Sequence, residues 1–105
     1  MTFEQWMKEC CGYNCITTFW MDFSIADRFG IEAVKDTYKR AFNEWKTDYR
    51  YLTELVLVLN HKIWAHYQSN RPLAEVYDAL WREADQWAVS HLKGEELSYY
   101  YNTLD

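Results

Sequence analysis

The sequence is poor in residues that break helices and contains no long apolar run. Three Gly and one Pro in 105 residues leave few positions for tight turns, which favours a small number of long elements, helices in particular. The longest aliphatic run, residues 55–59, is far shorter than the roughly 20 residues that span a membrane. The N-terminus has neither the basic start nor the apolar stretch of a secretory signal. We therefore expect a cytoplasmic protein that does not associate with membranes.

Cysteine is scarce and confined to one short segment. Cys10, Cys11 and Cys15 are odd in number and crowded together, which suits a reducing compartment better than a disulfide framework. The three cysteines and one of the three histidines would make four zinc ligands. Adjacent residues such as Cys10 and Cys11 point about 100° apart on a helix, however, which makes it difficult for both to bind the same ion. The sequence also lacks a second CxxC or HxxxH cluster. We therefore expect neither a metal site nor a cofactor.

Acidic residues outnumber basic ones, and the excess lies at the C-terminal end. The formal net charge is -5, and residues 72–105 contain only Arg82 and Lys93 against seven acidic residues. Residues 1–71 are balanced in charge. Because an acidic surface repels phosphate, nucleic acids and anionic membranes are not the expected partners.

Aromatic residues are abundant. Six Trp, nine Tyr and five Phe make up 19% of the chain. A helical domain of this size cannot easily enclose all of them, so some are expected to form an exposed patch, and such patches are commonly interfaces. An aromatic-rich core whose Tyr hydroxyls reach the solvent is the alternative.

Apolar residues recur at spacings of three and four, and start and stop signals separate the segments that they form. The predicted helices cover about residues 3–11, 18–29, 31–46, 49–68 and 72–93, followed by a short helix or an extended arm over 95–105. A strand at 55–59 competes with the fourth helix, but the helical spacing continues to Tyr67. We predict one all-α domain over residues 1–105. It is a small helical bundle of four main helices, with a short N-terminal helix and a C-terminal helix or arm.

No motif of a common enzyme class is present. The sequence contains no glycine-rich phosphate loop, no GxSxG and no HExxH. Glu54 and His61 lie two turns apart on one predicted helix, which permits a relay, but no Glu-x-x-His motif of a di-metal site exists. We therefore predict that the protein is not an enzyme.

Residues 25–31, which read IADRFGI, resemble the centre of a helix-turn-helix DNA-binding unit. The sequence departs from that unit in two ways. Asp36 occupies a position that should be buried and apolar, and the two helices are not separated by a long polar turn. The unit remains an alternative prediction, a DNA-binding regulator that uses residues 25–46. Its phosphate contacts would come from Lys35, Lys39, Arg40 and Lys46.

A second resemblance covers about forty central residues. The stretches DFSIAD, DTY, AFNEWK and YLTELVLVLN, at residues 22–27, 36–38, 41–46 and 51–60, are similar to a group of short helical proteins of unknown function. That group is associated with mobile elements and phage-like regions of gut anaerobic bacteria. The resemblance implies a cytoplasmic bacterial accessory protein, and it assigns no catalytic or binding residue.

These patterns together predict a non-enzymatic protein–protein interaction module. It would bind a protein partner or associate with itself as a homodimer. The predicted interface combines aromatic residues outside the main apolar stripes with the acidic C-terminal helix. Its residues are Trp64, Trp81, Glu75, Asp78, Glu83, Asp85, Tyr99, Tyr100 and Tyr101.

Overall fold

The described part of the protein, residues 18–104 of a computed structural model, consists of helices without strands. The five helices are α1 (Thr18–Phe29), α2 (Ile31–Trp45), α3 (Tyr49–His66), α4 (Arg71–His91) and α5 (Glu95–Leu104). The all-α prediction is therefore confirmed. The predicted helix at 3–11 and the cysteine segment lie outside the described residues.

Side-chain caps explain where the two longest helices begin. Asp48 precedes α3 and its carboxylate accepts a hydrogen bond from the Arg50 backbone N–H. Asn70 precedes α4 and its side-chain oxygen accepts from the Leu73 N–H, while Pro72 occupies the first turn. Residues 55–59 belong to α3, so the alternative strand is wrong.

Helix α3 lies at the centre of the fold. It contacts all four other helices, most extensively α4. Five of its apolar residues have no exposed surface, namely Leu52, Leu55, Val56, Val58 and Leu59. A helix apolar on most of its circumference requires neighbours on several sides, which is why the remaining helices pack around it. None of the described helices is both long enough and apolar enough to cross a lipid bilayer.

The C-terminal segment is a helix rather than an extended arm. Tyr100 of α5 is fully buried, and its hydroxyl donates a hydrogen bond to the carboxylate of Asp85 on α4. Tyr99 meets the ring of Tyr49, at the start of α3, edge to face. These contacts seat α5 over one end of the seam between α3 and α4.

Helices α1 and α2 are joined by Gly30 alone. Its backbone has φ 105° and ψ −172°, a conformation that essentially only glycine adopts. A Cβ atom at Gly30 would meet no other atom within 4 Å, so the glycine is required by backbone conformation and not by space. Gly94, before α5, has φ 61° and lies in the milder left-handed region.

We expect Gly30→Ala to lower the free energy of unfolding by about 2–3 kcal/mol, because alanine is strained at this φ and ψ. The matched variant Gly94→Ala should cost about 1 kcal/mol, since left-handed helical geometry is less forbidden to alanine. Urea unfolding followed by circular dichroism measures both. Equal losses in the two variants would contradict this reading of the corner.

Asp22 is a buried acid in α1. The residue is 2% exposed, and its Oδ1 has no hydrogen-bond partner among residues 18–104. Burial disfavours the charged carboxylate and raises the pKa of Asp22 from its usual 3.8 to about 7. Because the folded chain keeps this proton at a pH where the unfolded chain has lost it, the residue makes stability fall as pH rises from about 4 to about 7.

Asp22→Asn removes this titration. The stability of the natural protein should therefore decline relative to the variant by about 2–4 kcal/mol between pH 4 and pH 8. Above pH 8 the difference should stay constant. Denaturant unfolding of both proteins at a series of pH values tests this, and parallel stability curves would show that Asp22 is not buried as an acid.

Candidate interaction groove

A groove of about 360 Å³ lies between the second half of α3 and the first half of α4. The wall from α3 consists of Asn60, Ile63, Trp64 and Tyr67. The wall from α4 consists of Arg71, Ala74, Glu75, Asp78 and Trp81. Each set repeats at spacings of three and four, so each lies along one side of its helix. The core-facing residues of α4, such as Tyr77 and Ala84, lie on another side.

The groove exposes aromatic surface. Trp64 is 67% exposed and Tyr67 is 41% exposed, and their ring centroids are 5.5 Å apart. Trp81 is half-buried and packs against the core from the opposite wall. Large aromatic side chains that remain exposed in a concave site are typical of surfaces that bind another molecule.

The polar groups of the groove differ in whether they already have partners. The Arg71 guanidinium lies 3.9 Å from the centroid of the Tyr67 ring, and its Nε donates to the Tyr67 carbonyl oxygen. Asp78 accepts from Arg82 Nε at 3.0 Å. Glu75 is exposed and forms no ion pair within the described part of the chain. The charge that is free to bind in the groove is therefore negative.

The structure brings four of the nine predicted interface residues together in this groove, and these are Trp64, Trp81, Glu75 and Asp78. The other five lie elsewhere. Glu83 lies beside Tyr38 of α2, where burial and then the charge of Glu83 raise the pKa of that phenol.

Asp85, Tyr99 and Tyr100 hold α5 in place instead of lining the groove. Tyr100 is a core residue bonded to Asp85, so its prediction as a surface contact is corrected. Tyr99 packs on Tyr49, and Tyr101 is exposed. Because adjacent residues of a helix point about 100° apart, a run of three tyrosines cannot form one surface patch.

Sequence reasoning missed the contribution of Ile63 and Tyr67 to the groove. Both continue the apolar stripe that is buried at Leu52, Leu55 and Leu59, and a stripe of this kind predicts core positions. The stripe is buried only along the first part of the helix and opens to solvent in its last two turns. The signal that remained in the sequence was Arg71, four residues after Tyr67 and therefore in reach of its ring.

A separate polar cluster centres on Asp27 of α1. Its Oδ2 lies 2.9 Å from Lys62 Nζ and 3.0 Å from His66 Nε2, and both of these nitrogens donate from α3. Its Oδ1 accepts from the hydroxyl of Tyr77 on α4. Burial, and next the bond to Asp27, raise the pKa of Tyr77 above its usual 10.0, so this hydroxyl remains a donor. Lys62 also donates to Ser24 Oγ at 3.2 Å.

This cluster joins three helices and leaves no oxygen of Asp27 free. The carboxylate accepts three hydrogen bonds from groups that are largely buried. Its chemistry is that of an interhelix tie, because each polar group already has a partner within the fold. The sequence could not reveal it, since Asp27 lies 35 to 50 residues before the three groups that it binds.

Glu54 and His61, which the sequence allows to form a relay, both contact Trp20. Glu54 accepts from the Trp20 indole N–H at 2.6 Å rather than from His61. His61 contacts the Trp20 ring edge-on, with ring centroids 5.0 Å apart. Among residues 18–104 no three His, Cys, Asp or Glu side chains form a metal-binding group.

The cations of the alternative DNA-binding prediction lie on α2. Lys35 is 3.8 Å from Glu32, Lys39 and Arg40 are exposed, and Lys46 lies 5.6 Å from the centroid of the Phe42 ring. Gly30 alone connects α1 to α2, whereas a helix-turn-helix unit uses a turn of about 3–4 residues. DNA binding stays a prediction, and this connection departs from the usual unit.

We expect Asp27→Ala to lower the free energy of unfolding by about 3 kcal/mol, because it leaves the nearly buried Lys62 ammonium and the Tyr77 hydroxyl without their acceptor. Asp78→Ala removes an exposed ion pair with Arg82 and should cost less than about 1 kcal/mol. Urea unfolding at pH 7 compares the two. Similar small losses in both variants would show that Asp27 is not an interhelix tie.

Comparison with known proteins adds no relative. No protein-family model matches the sequence, and no curated protein and no solved structure shows significant similarity to the chain. The geometry of the groove is therefore the basis on which function is inferred.

Proposed function

We propose that this protein is a non-enzymatic, cytoplasmic protein–protein interaction module whose binding surface is the groove between α3 and α4. The observation that carries the proposal is Trp64, a large aromatic side chain that is 67% exposed in the wall of a concave site. Truncating a Trp at the centre of an interface typically costs at least about 2 kcal/mol of binding free energy. A solvent-exposed Trp in this setting is explained by an interface.

The size and composition of the groove support the same proposal. Trp64, Tyr67 and Trp81 supply aromatic anchors, and Ile63 adds aliphatic surface between them. Glu75 and Asp78 lie on the α4 wall, where they form a polar edge. An apolar centre with polar groups at its edge is the usual anatomy of a protein interface.

The Asp27 cluster supports a role without catalysis. It is the largest convergence of titratable groups on the described residues, and its members hold helices together. A catalytic group must be within reach of a substrate, whereas both oxygens of Asp27 are occupied by the fold itself. The cluster therefore supports a stable scaffold for the groove.

The proposal includes a small helical bundle as the scaffold, with a short helix near the N-terminus. The arrangement of four helices around α3 supports the bundle. The apolar stripe of residues 3–10 in the sequence supports the N-terminal helix. The partner is either another protein of the same cell or a second copy of this chain.

We expect Trp64→Ala to weaken binding at least tenfold, because it removes the most exposed anchor of the groove. Phe29→Ala is the matched control, since Phe29 is 78% exposed on α1 and does not line the groove. Sedimentation velocity over a concentration series measures self-association. Quantitative capture from a lysate of the source cell compares partner retention by the natural protein and the two variants.

The helical circular dichroism signal of both variants should be unchanged, since both side chains are exposed. A partner or dimer lost in Trp64→Ala and kept in Phe29→Ala supports the proposal. Identical sedimentation and identical partner retention by all three proteins would overturn the groove as the binding surface.

A further inference from the structure

The groove is the uncovered half of a longer seam. On α3, Tyr49 contacts α5, and Asn60 and Tyr67 lie three and five turns further along the same side of the helix. On α4, Asp85 contacts α5, and Asp78 lies two turns earlier on the same side. Helix α5 therefore fills one half of the seam, and the groove continues it.

The seating of α5 shows how this seam receives a helix. Tyr100 inserts into the core, and its hydroxyl donates a hydrogen bond to Asp85 on the α4 wall. The open half offers the same kinds of group, with aromatic surface on both walls and Asp78 two turns before Asp85 on the same side of α4. Recognition of an amphipathic helix by an apolar groove uses the same geometry.

The unpaired negative charge in the groove favours a bound helix that has positive side chains along its polar edge. Glu75 has no ion pair within residues 18–104, and only one oxygen of Asp78 is engaged by Arg82. The cation at the other end, Arg71, is held on the Tyr67 ring. A second copy docked around a two-fold axis would bring another Glu75 and Asp78 to the same surface, which like-charge repulsion disfavours.

We infer that the groove receives an amphipathic helix of a partner protein, laid end to end with α5, whose edge toward α4 carries Lys or Arg side chains that bind Glu75 and Asp78. This inference rests on the proposed interaction function and names the chemistry of its partner. The excess of acidic residues over residues 72–105, which form most of α4 and α5, also attracts a basic helix at long range.

Two synthetic peptides of equal length provide the test. Both carry the same leucine stripe at helical spacing, one with Lys and the other with Glu at the flanking positions. The full-length protein is labelled with ¹⁵N, and its six Trp indole signals are assigned by single substitutions. Titration should shift the Trp64 and Trp81 indole signals, with the Lys peptide binding at least tenfold more tightly than the Glu peptide.

Charge variants separate local recognition from general attraction. Glu75→Gln with Asp78→Asn should weaken binding of the Lys peptide about tenfold. Glu95→Gln with Glu96→Gln makes the same change in net charge at the exposed start of α5 and should weaken it less than twofold. Equal effects of the two double variants would overturn the inference, because binding would then follow net charge alone.

The remaining outcomes distinguish this inference from the proposed function. Equal affinity of both peptides, with loss of both in Trp64→Ala, would overturn the basic helix and leave the groove as an interface. Trp64 signals that move on dilution would identify a second copy as the occupant, and nuclear Overhauser contacts from Trp64 to residues 1–17 would identify that segment. Each of these overturns the partner helix. The absence of any Trp64 shift with either peptide overturns it as well.

Discussion

The contact between α3 and α4 is the constraint on which the rest of the structure depends. α3 is apolar on most of its circumference, and its central residues have no exposed surface. α4 supplies the longest surface against which it is buried, and α1, α2 and α5 cover the remaining sides. Two antiparallel helices of 18 and 21 residues make a seam longer than the 10-residue α5 can fill. The groove is a consequence of that difference in length.

The aromatic residues hold the helices to one another, and most of them do so in pairs. Phe42 of α2 meets Trp87 of α4 edge to face, and Trp45 stacks on Tyr51 of α3 at 4.2 Å between centroids. Of the two readings that the sequence left open, the aromatic core accounts for most of these residues, and the exposed patch accounts for the last two turns of α3. The core differs from the predicted aromatic-rich core in one respect, because the hydroxyls of Tyr77 and Tyr100 donate to Asp27 and Asp85 within the fold instead of reaching the solvent. The same types of aromatic residue occur in the core and at the groove, and their position along the helices determines which of them are exposed.

The parts of the fold that depend on neighbouring residues in the chain could be predicted from the sequence. The caps at Asp48 and Asn70 and the stop at Gly30 mark helix boundaries because capping and a positive backbone φ are local properties. Trp64 and Trp81 could be named because they lie off the main apolar stripes, and Glu75 and Asp78 because they belong to the acidic C-terminal part of the sequence. The Asp27 cluster could not be predicted, since hydrogen bonds between α1, α3 and α4 depend on how the helices are oriented in space. The same reason explains why the burial of Tyr100 could not be predicted.

The short connections between the helices limit how this protein can vary. Gly30, residues 46–48, residues 67–70 and residues 92–94 are all that lies between consecutive helices in the described part of the chain. Most proteins diversify their binding sites through the length and sequence of surface loops. Here connections of one to four residues are too short to form a site of their own, so the surface that can vary without disturbing the core lies on the exposed helix faces. In this fold, substitutions on the exposed faces of α3 and α4 would alter the groove while the packed helices stay in place.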